Sequence, residues 1–389
     1  MNDLLTKPAE EMNQEYRTVI IGSGYGGAIE AARLAEAGHQ DICLLERGKE
    51  WVPGDFPDQF GGLLKNLRRP GNPLGLFDYQ LNKEIDVLRG CGLGGTSLIN
   101  ANVAIRPDKE LFDNPRWPQA IQDLADSGQI WPFYREAETM LGVGPHPRAA
   151  VKLKVQAMKE RADQLADADF SPSLPLAVHF GDRGANHVSV HQNPCIDCGD
   201  CFTGCNVRAK NTLYMNYLPF AESQAVDMFA QVEVSHLTKT ADGKYSLHYR
   251  VNKQDGQGEL QQVKARHIVL AAGSLGSTEL LLRSRKHGLP VSDILGKRFS
   301  GNVDFVGISY NTDQVIEITG YGNHPDSRRA AVQPGPSIIS GIQYNRSRPF
   351  ADRFIFEDSS IPLAAVDISR RVLPFVIGRD MQDVTSAIC

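Results

Sequence analysis

The chain has 389 residues, with 41 basic against 46 acidic side chains and a net charge of −5. Apolar residues at 41% and charged residues at 22% exclude a disordered polymer, and the length suits two or three domains. The absence of a basic block argues against nucleic acid as a partner, and no run approaches the roughly 18 apolar residues of an integral membrane segment.

Residues 1–16 form a polar, net acidic tail that reads as neither a signal nor a transit peptide, so the expected compartment is the cytoplasm. Tyr16–Ile21 (YRTVII) is a short β-branched run. Gly22-Ser23-Gly24-Tyr25-Gly26-Gly27 follows, and Ala28–Ala37 then has helix-forming composition with Gly38 at the C-cap position. Ile42–Glu46 (ICLLE) is a second buried-strand candidate ending in an acid. Strand, G-x-G-x-x-G, helix, strand and acid within about 30 residues is the dinucleotide fingerprint. Gly22 permits the tight turn, Gly24 the approach of a diphosphate, and Gly27 close helix–strand packing. The helix N-terminus supplies free N–H groups, and Glu46 can accept hydrogen bonds from a ribose. The alternative is a glycine-rich turn without a ligand, and the fingerprint alone does not separate NAD from FAD.

Trp51–Tyr79 is rich in Gly, Pro and aromatics and reads either as a lid or as an irregularly packed connection. Arg89–Arg106 holds Gly90, Gly92, Gly94 and Gly95, a loop suited to lie against a flat ring or a diphosphate. Val151–Ala168 is charged at helical spacing and reads as a solvated helix.

Cys195, Cys198, Cys201 and Cys205 follow in CIDCGDCFTGC, the spacing of bacterial ferredoxin loops. Asn206 stands where Pro follows the fourth ferredoxin cysteine. Only Cys43, Cys91 and Cys389 remain elsewhere, which excludes a two-cluster module. Three assignments stay open: one iron–sulfur cluster held by all four cysteines or by three and another ligand, a tetrahedral zinc ion, or a cysteine-rich loop without metal.

Val232–Gln262 alternates around Asp242-Gly243 and Gln257-Gly258, as a small antiparallel meander does. Ala265–Gly273 then reads as a strand and Ser274–Ser284 as a helix. A nucleotide sheet rejoined some 220 residues after its first βαβ unit carries an insertion unusual for a plain NAD domain. From residue 308 onward, short β-branched runs alternate with Pro-rich turns.

Gly22–Gly27 with Glu46, the segment Gly90–Asn102 and the strand–helix Val269–Ser284 together resemble the glucose–methanol–choline (GMC) family of FAD-dependent oxidoreductases, in particular its cholesterol-oxidase-like branch. Trp131–Tyr134 with Met140–Gly142, and the GCNVRAKNTLYMNYL run after Gly204, add to the likeness. The resemblance implies an α/β fold: a Rossmann-like (p-hydroxybenzoate-hydroxylase-like) FAD-binding domain with a smaller, incomplete antiparallel-sheet α+β substrate domain. It divides the chain into 17–150 and 225–307 for FAD, 151–224 as an insertion with the Cys-rich loop, and 308–389 as a partial substrate domain.

It implies oxidation of an alcohol CH–OH, a sterol being one candidate, by hydride transfer to the flavin, with oxygen or another electron acceptor downstream. By the same resemblance, diphosphate contacts fall on Gly22, Ser23, Gly24, Tyr25, Gly26 and Gly27, and the ribose acid is Glu46. The isoalloxazine-side loop falls on Gly94, Gly95, Thr96, Ser97 and Asn100, the adenine strand on Gln231–Val234 with Val234 chosen, and Ala272 and Gly273 close the site.

The family's covalent His position is Ile99, so the FAD is expected to be non-covalent. Thr278, Arg285 and Val303 depart from the family's second signature and the branch pattern. None of the ten His occupies the family's catalytic motif; His267, His287 and His324 read as surface, capping or loop residues. No catalytic residue is named, and a C-terminal catalytic segment is expected in a longer protein. Two other readings stay open: a flavin-binding chain without turnover, and a dehydrogenase passing electrons through an Fe–S centre.

Overall fold

The computed structural model describes residues 4–254, 256–302, 304–309, 314–323, 333–366 and 386–388; Val303 and His324 lie outside them. In chain order the elements used below are β1 (Glu15–Ile21), α1 (Tyr25–Glu36), β2 (Ile42–Leu45), α2 (Leu153–Gln164), β3 (Ala168–Ser171), α3 (Tyr217–Ser223), β4 (Asp227–Phe229), β5 (Val232–Lys239), β6 (Tyr245–Lys253), β7 (Gln261–Leu270), α4 (Gly273–Lys286), β8 (Gly307–Ser309), β9 (Gly341–Tyr344), β10 (Phe354–Ser359) and β11 (Ser386–Ile388).

Four strands, β7, β1, β2 and β4, pair in parallel in that order. β1 is central, and its EYRTVII sequence is buried from Thr18 onward because both sheet faces are covered. Ile20, Ile42, Leu44 and Met228 point to one face, where they meet Ala28, Ala31, Ala32 and Ala35 of α1 and Leu218 of α3. The alanines recur at i, i+3, i+4 and i+7, a stripe of small side chains that brings the helix axis close to the sheet. Val19, Ile21, Cys43, Leu45 and Phe229 point the other way, into a core with Leu237, Leu247 and Val263 of the antiparallel β5–β6–β7 meander. Each fully buried Ile or Leu here contributes about 1.5–3 kcal/mol.

The βαβ expectation matches at both ends, with Gly38 at φ +83° closing α1. The meander is present, its first turn at Gly243 (φ +84°) as expected. Its second reversal falls between Lys253 and Gly256, ahead of Gln257-Gly258, because the short strand Gly256–Gln257 pairs back onto β6.

A second, antiparallel sheet runs β8–β11–β10–β9–β3. β3 pairs with β9, so residues from 151–224 and from 308–389 share one sheet. Helix α2 covers it and departs from the solvated helix the charge pattern predicts. Lys154, Val155, Met158 and Ala162 are buried, the apolar three packing on Ile339, Ile342 and Phe170. The physical reason lies in Lys154, whose ammonium meets Asp358 at 3.0 Å, Ser360 Oγ at 2.9 Å and the carbonyls of Pro336 and Ser337. A fully partnered charge hides an interior position from a hydropathy pattern.

Trp51–Tyr79 is a packed connection: Trp51, Phe56, Leu76 and Phe77 form a core with Leu98 and Ile99 beneath the glycine loop, and Trp51 Nε1 donates to the Cys91 carbonyl at 3.0 Å. Among the described residues no helix is long and apolar enough to cross a membrane.

Candidate functional site

A cavity of about 360 Å³ opens at the carboxyl ends of β7, β1 and β2, the place an open α/β sheet reserves for ligands. Of the residues the sequence assigns to a cofactor, Gly22, Ser23, Gly24, Tyr25, Gly26, Glu46, Gly95, Thr96, Val234, Ala272 and Gly273 line it. The N-termini of α1 and α4 both face it, so two sets of unpaired backbone N–H groups converge on one space.

The glycines divide by role. Gly22 sits at φ +100°, and a Cβ there would lie 2.4 Å from the Ala271 carbonyl oxygen; at Gly27 it would lie 1.8 Å from the Gly22 oxygen. Both positions are closed to any side chain. A Cβ at Gly24 meets nothing within 4 Å. With φ −64° neither the Gly24 backbone nor its surroundings demand glycine; the position faces open cavity. Gly95 holds its loop against Gly24, where a Cβ would come 3.0 Å from the Gly24 Cα.

Glu46 and Ser23 are buried. Glu46 Oε2 accepts from Ser23 Oγ at 2.6 Å and Ser23 N at 3.2 Å, and its Oε1 accepts from Gly48 N at 2.9 Å. Ser23 Oγ also accepts from Gly94 N at 3.0 Å. The serine side chain thus ties the first glycine turn to the acid after β2 and to the second glycine loop. A carboxylate offers about four lone-pair sites, so Glu46 keeps acceptor capacity for a further donor.

Gly27, Gly94, Ser97 and Asn100 lie outside the cavity lining. Ser97 Oγ donates to the Gly94 carbonyl at 2.7 Å, and Asn100 Nδ2 donates to Tyr25 Oη at 2.9 Å; both residues brace the loop from beneath or beside.

Sequence reasoning missed Arg47, Glu279 and Arg283 on the cavity lining, and gave no role to Arg89 and Glu233 within the loop and strand it had singled out. Asp78 Oδ2 accepts from Arg47 Nη2 at 2.6 Å and Arg89 Nη2 at 2.7 Å. Burial alone would raise the Asp78 pKa, but Arg47 and Arg89 outweigh it and hold the carboxyl below its usual value. Arg89 Nε is buried without a partner among the described residues. Adjacency to Glu46 and to Gly90 was the available signal for Arg47 and Arg89.

Cys195, Cys198, Cys201 and Cys205 line one separate small cavity with Lys210 and Val178. All four are free thiols. Burial is the first cause raising the pKa of Cys195, Cys198 and Cys205. Among the described residues no group of three or more His, Cys, Asp or Glu is placed to hold a metal ion; the thiols surround a space and do not converge as one tetrahedral zinc ion requires.

The parallel sheet, the glycine-lined cavity at its carboxyl edge and the convergent helix N-termini define an α/β protein of the Rossmann-like, dinucleotide-binding class. The sequence comparisons narrow this further. Residues 16–300 match the family model described as GMC oxidoreductase. The chain belongs to the GMC oxidoreductase family.

A cholesterol oxidase of Acinetobacter baumannii is 30% identical over 319 residues, 76% of this chain and 55% of that protein. One of Mycobacterium tuberculosis (strain ATCC 25618 / H37Rv) is 31% identical over 292 residues, 71% of this chain and 49% of that protein. An oxygen-dependent choline dehydrogenase 1 of Chromohalobacter salexigens is 27% identical over 70% of this chain and 48% of that protein. The chain spans about half the length of these curated relatives. Among solved structures, a pyridoxine 4-oxidase from Mesorbium loti aligns with a TM-score of 0.55 at 17% identity, covering 89% of this chain and 67% of that one, a likeness of fold.

Proposed function

We propose that this chain carries the FAD-binding machinery of an oxidoreductase acting on the CH–OH group of an alcohol, with sterols as the leading substrate class. One observation carries the reading: the Gly24 position opens into a cavity faced by two helix N-termini, an environment that suits a diphosphate, with which a side chain would compete. Family membership and the cholesterol oxidase relatives support the reaction class and the sterol.

When bound, FAD would accept hydride from the carbinol carbon as the hydroxyl proton leaves. The chain's own residues bind and orient it. Backbone N–H groups around Gly24–Gly26 would hold the diphosphate, Glu46 would accept from the ribose, and Val234 would meet the adenine. Gly95 and Thr96 would serve the ring side, with Ala272 and Gly273 closing the site. Arg47 and Arg89, two cations sharing the single Asp78 carboxylate, form a locally positive edge suited to phosphate, while Glu46, Glu233 and Glu279 balance the charge elsewhere on the lining. Ile99 is buried and apolar, so nothing there tethers the flavin covalently.

We assign 17–150 and 225–307 to FAD and the second sheet, with strands from both 151–224 and 308–389, to the substrate side. Unpaired cysteines support a reducing compartment such as the cytoplasm.

A second reading, that electrons leave the flavin through an iron–sulfur centre instead of passing to oxygen, is favoured by the four cysteines around one cavity. The test is anaerobic titration of the flavin-loaded chain with a sterol or a primary alcohol, read at the flavin band near about 450 nm. Bleaching supports turnover. A band that no alcohol bleaches indicates a chain that binds flavin without turning over. Failure to take up FAD at all refutes the cofactor assignment.

A further inference from the structure

We propose that Cys195, Cys198, Cys201 and Cys205 together ligate a single [4Fe–4S] cluster, with Lys210 as the positioning residue that joins it to the second glycine loop. This rests on the iron–sulfur reading above and deepens it. In ferredoxins with the C-x2-C-x2-C-x3-C run, the fourth cysteine serves a different cluster. Here all four border the same space, so one centre uses the whole set.

Three features of the loop point to an anionic occupant. First, Asp197 N donates to Cys195 Sγ at 3.4 Å. Hydrogen bonds to ligand sulfurs stabilise thiolate and set a cluster's potential; a loop of neutral thiols gains little from them. Second, Lys210 is buried, its ammonium donating to the carbonyls of Leu98 (3.0 Å), Asn100 (2.7 Å) and Cys201 (3.0 Å). No carboxylate partners it among the described residues. A buried cation with neutral acceptors alone is expensive. Four thiolates around an oxidised [4Fe–4S] core carry a net charge of about −2, which supplies the missing counter-charge.

Third, the loop is held before any occupant arrives. Asp197 accepts from His146 Nε2 at 2.9 Å and Lys152 Nζ at 2.7 Å. Asp200 accepts from Gly322 N at 2.9 Å and Leu363 N at 2.7 Å. Asn206 Oδ1 accepts from Gly54 N at 2.7 Å. Asp197 and Arg208 both sit at positive φ, 60° and 67°, a conformation unfavourable for side-chain-bearing residues that tight wrapping of a ligand requires.

Lys210 gives the cluster a physical link to the flavin side. Its other two acceptors, Leu98 and Asn100, belong to the loop that continues from Gly95 and Thr96 at the cavity edge. A reduced cluster is more negative, so the ammonium favours reduction and, by tightening its grip on the loop, couples the two sites.

The full chain, purified anaerobically or reconstituted with ferrous iron and sulfide, is assayed for iron, acid-labile sulfide and zinc, with flavin measured separately after acid extraction. About four iron and four sulfide per chain, and a low-temperature EPR signal after dithionite, are expected. Stoichiometric zinc without sulfide, or no metal after reconstitution, overturns the proposal whatever the flavin content; an iron-loaded chain without flavin leaves it standing and refutes the cofactor reading alone. Cys198→Ala and Cys205→Ala are expected to lose the cluster, with Cys43→Ala as the control that keeps it. In Lys210→Met the iron content stays and the midpoint potential falls, while Lys210→Arg restores it. An unchanged potential in a loaded Lys210→Met chain removes Lys210 from the proposal.

Discussion

Replacing Gly24 by alanine separates the cavity's role from the fold's stability. The new Cβ meets no atom within 4 Å and the backbone sits at φ −64°, so the apoprotein accommodates it without a clash. Removing a glycine also lowers the entropy of the unfolded chain, which stabilises by about 0.4–1 kcal/mol. Urea midpoints are therefore expected to stay level or rise slightly. Binding should move the other way. A methyl group in the space proposed for a diphosphate would impose a packing cost of about 1–3 kcal/mol, or roughly 5- to 150-fold in Kd. Quenching of FAD fluorescence on titration with apoprotein measures that Kd.

Gly27→Ala is the counterpart. Its Cβ would lie 1.8 Å from the Gly22 oxygen, so strand and helix must separate, and a loss of about 3 kcal/mol or more in stability is expected. If Gly24→Ala folds as the parent and binds FAD with unchanged affinity, the cavity is not the diphosphate cradle and the reasoning fails.

Other perturbations probe separate parts of the molecule. Ser23→Ala leaves Glu46 and Gly94 N short of a buried partner and should cost about 1–3 kcal/mol in urea unfolding, with faster proteolysis of the 90–100 loop. Lys154→Met strands the Asp358 carboxylate in the second sheet and should cost about 3–5 kcal/mol, part of which the double variant with Asp358→Asn recovers. His236 stacks between His248 (4.2 Å) and His287 (3.7 Å); burial first, then the two neighbouring imidazoles and Arg283, push its pKa down to about 4. The folded protein therefore binds fewer protons than the unfolded chain between pH about 4 and 6.5, and stability falls as pH drops through that window. His236→Phe should flatten that part of the stability–pH curve, and an unchanged slope would exclude the stack as its source.

The βαβ unit was legible because its constraints are local: a β-branched run, three glycines whose spacing fixes a turn, and a helix of small residues. Ala272 and Val234 needed the family likeness, since nothing in their own neighbourhoods marks a ligand edge. Arg47 escaped because its partner Asp78 lies 31 residues away on another element; Arg89 meets the same carboxylate from eleven residues away, and the Arg68–Glu233 pair joins elements 165 residues apart. Lys154 and Lys210 escaped for a related reason: hydropathy assigns lysine to solvent, and only the three-dimensional set of acceptors reveals the buried ammonium. The four cysteines were visible as a pattern, but their sharing of one space is a property of the loop's closure.

The order in which the parallel sheet is assembled bears on biosynthesis. β1 takes β2 as one neighbour within a few dozen residues, yet its other neighbour, β7, leaves the ribosome about 240 residues later. At translation rates of roughly 5–20 residues per second, that edge of β1 stays unpaired for roughly 10–50 seconds. A β-branched edge of this kind is a template for association between nascent chains, so the yield of native protein should rise with chaperones that shield the emerging β1 edge and fall when initiation is so frequent that neighbouring polysome chains meet.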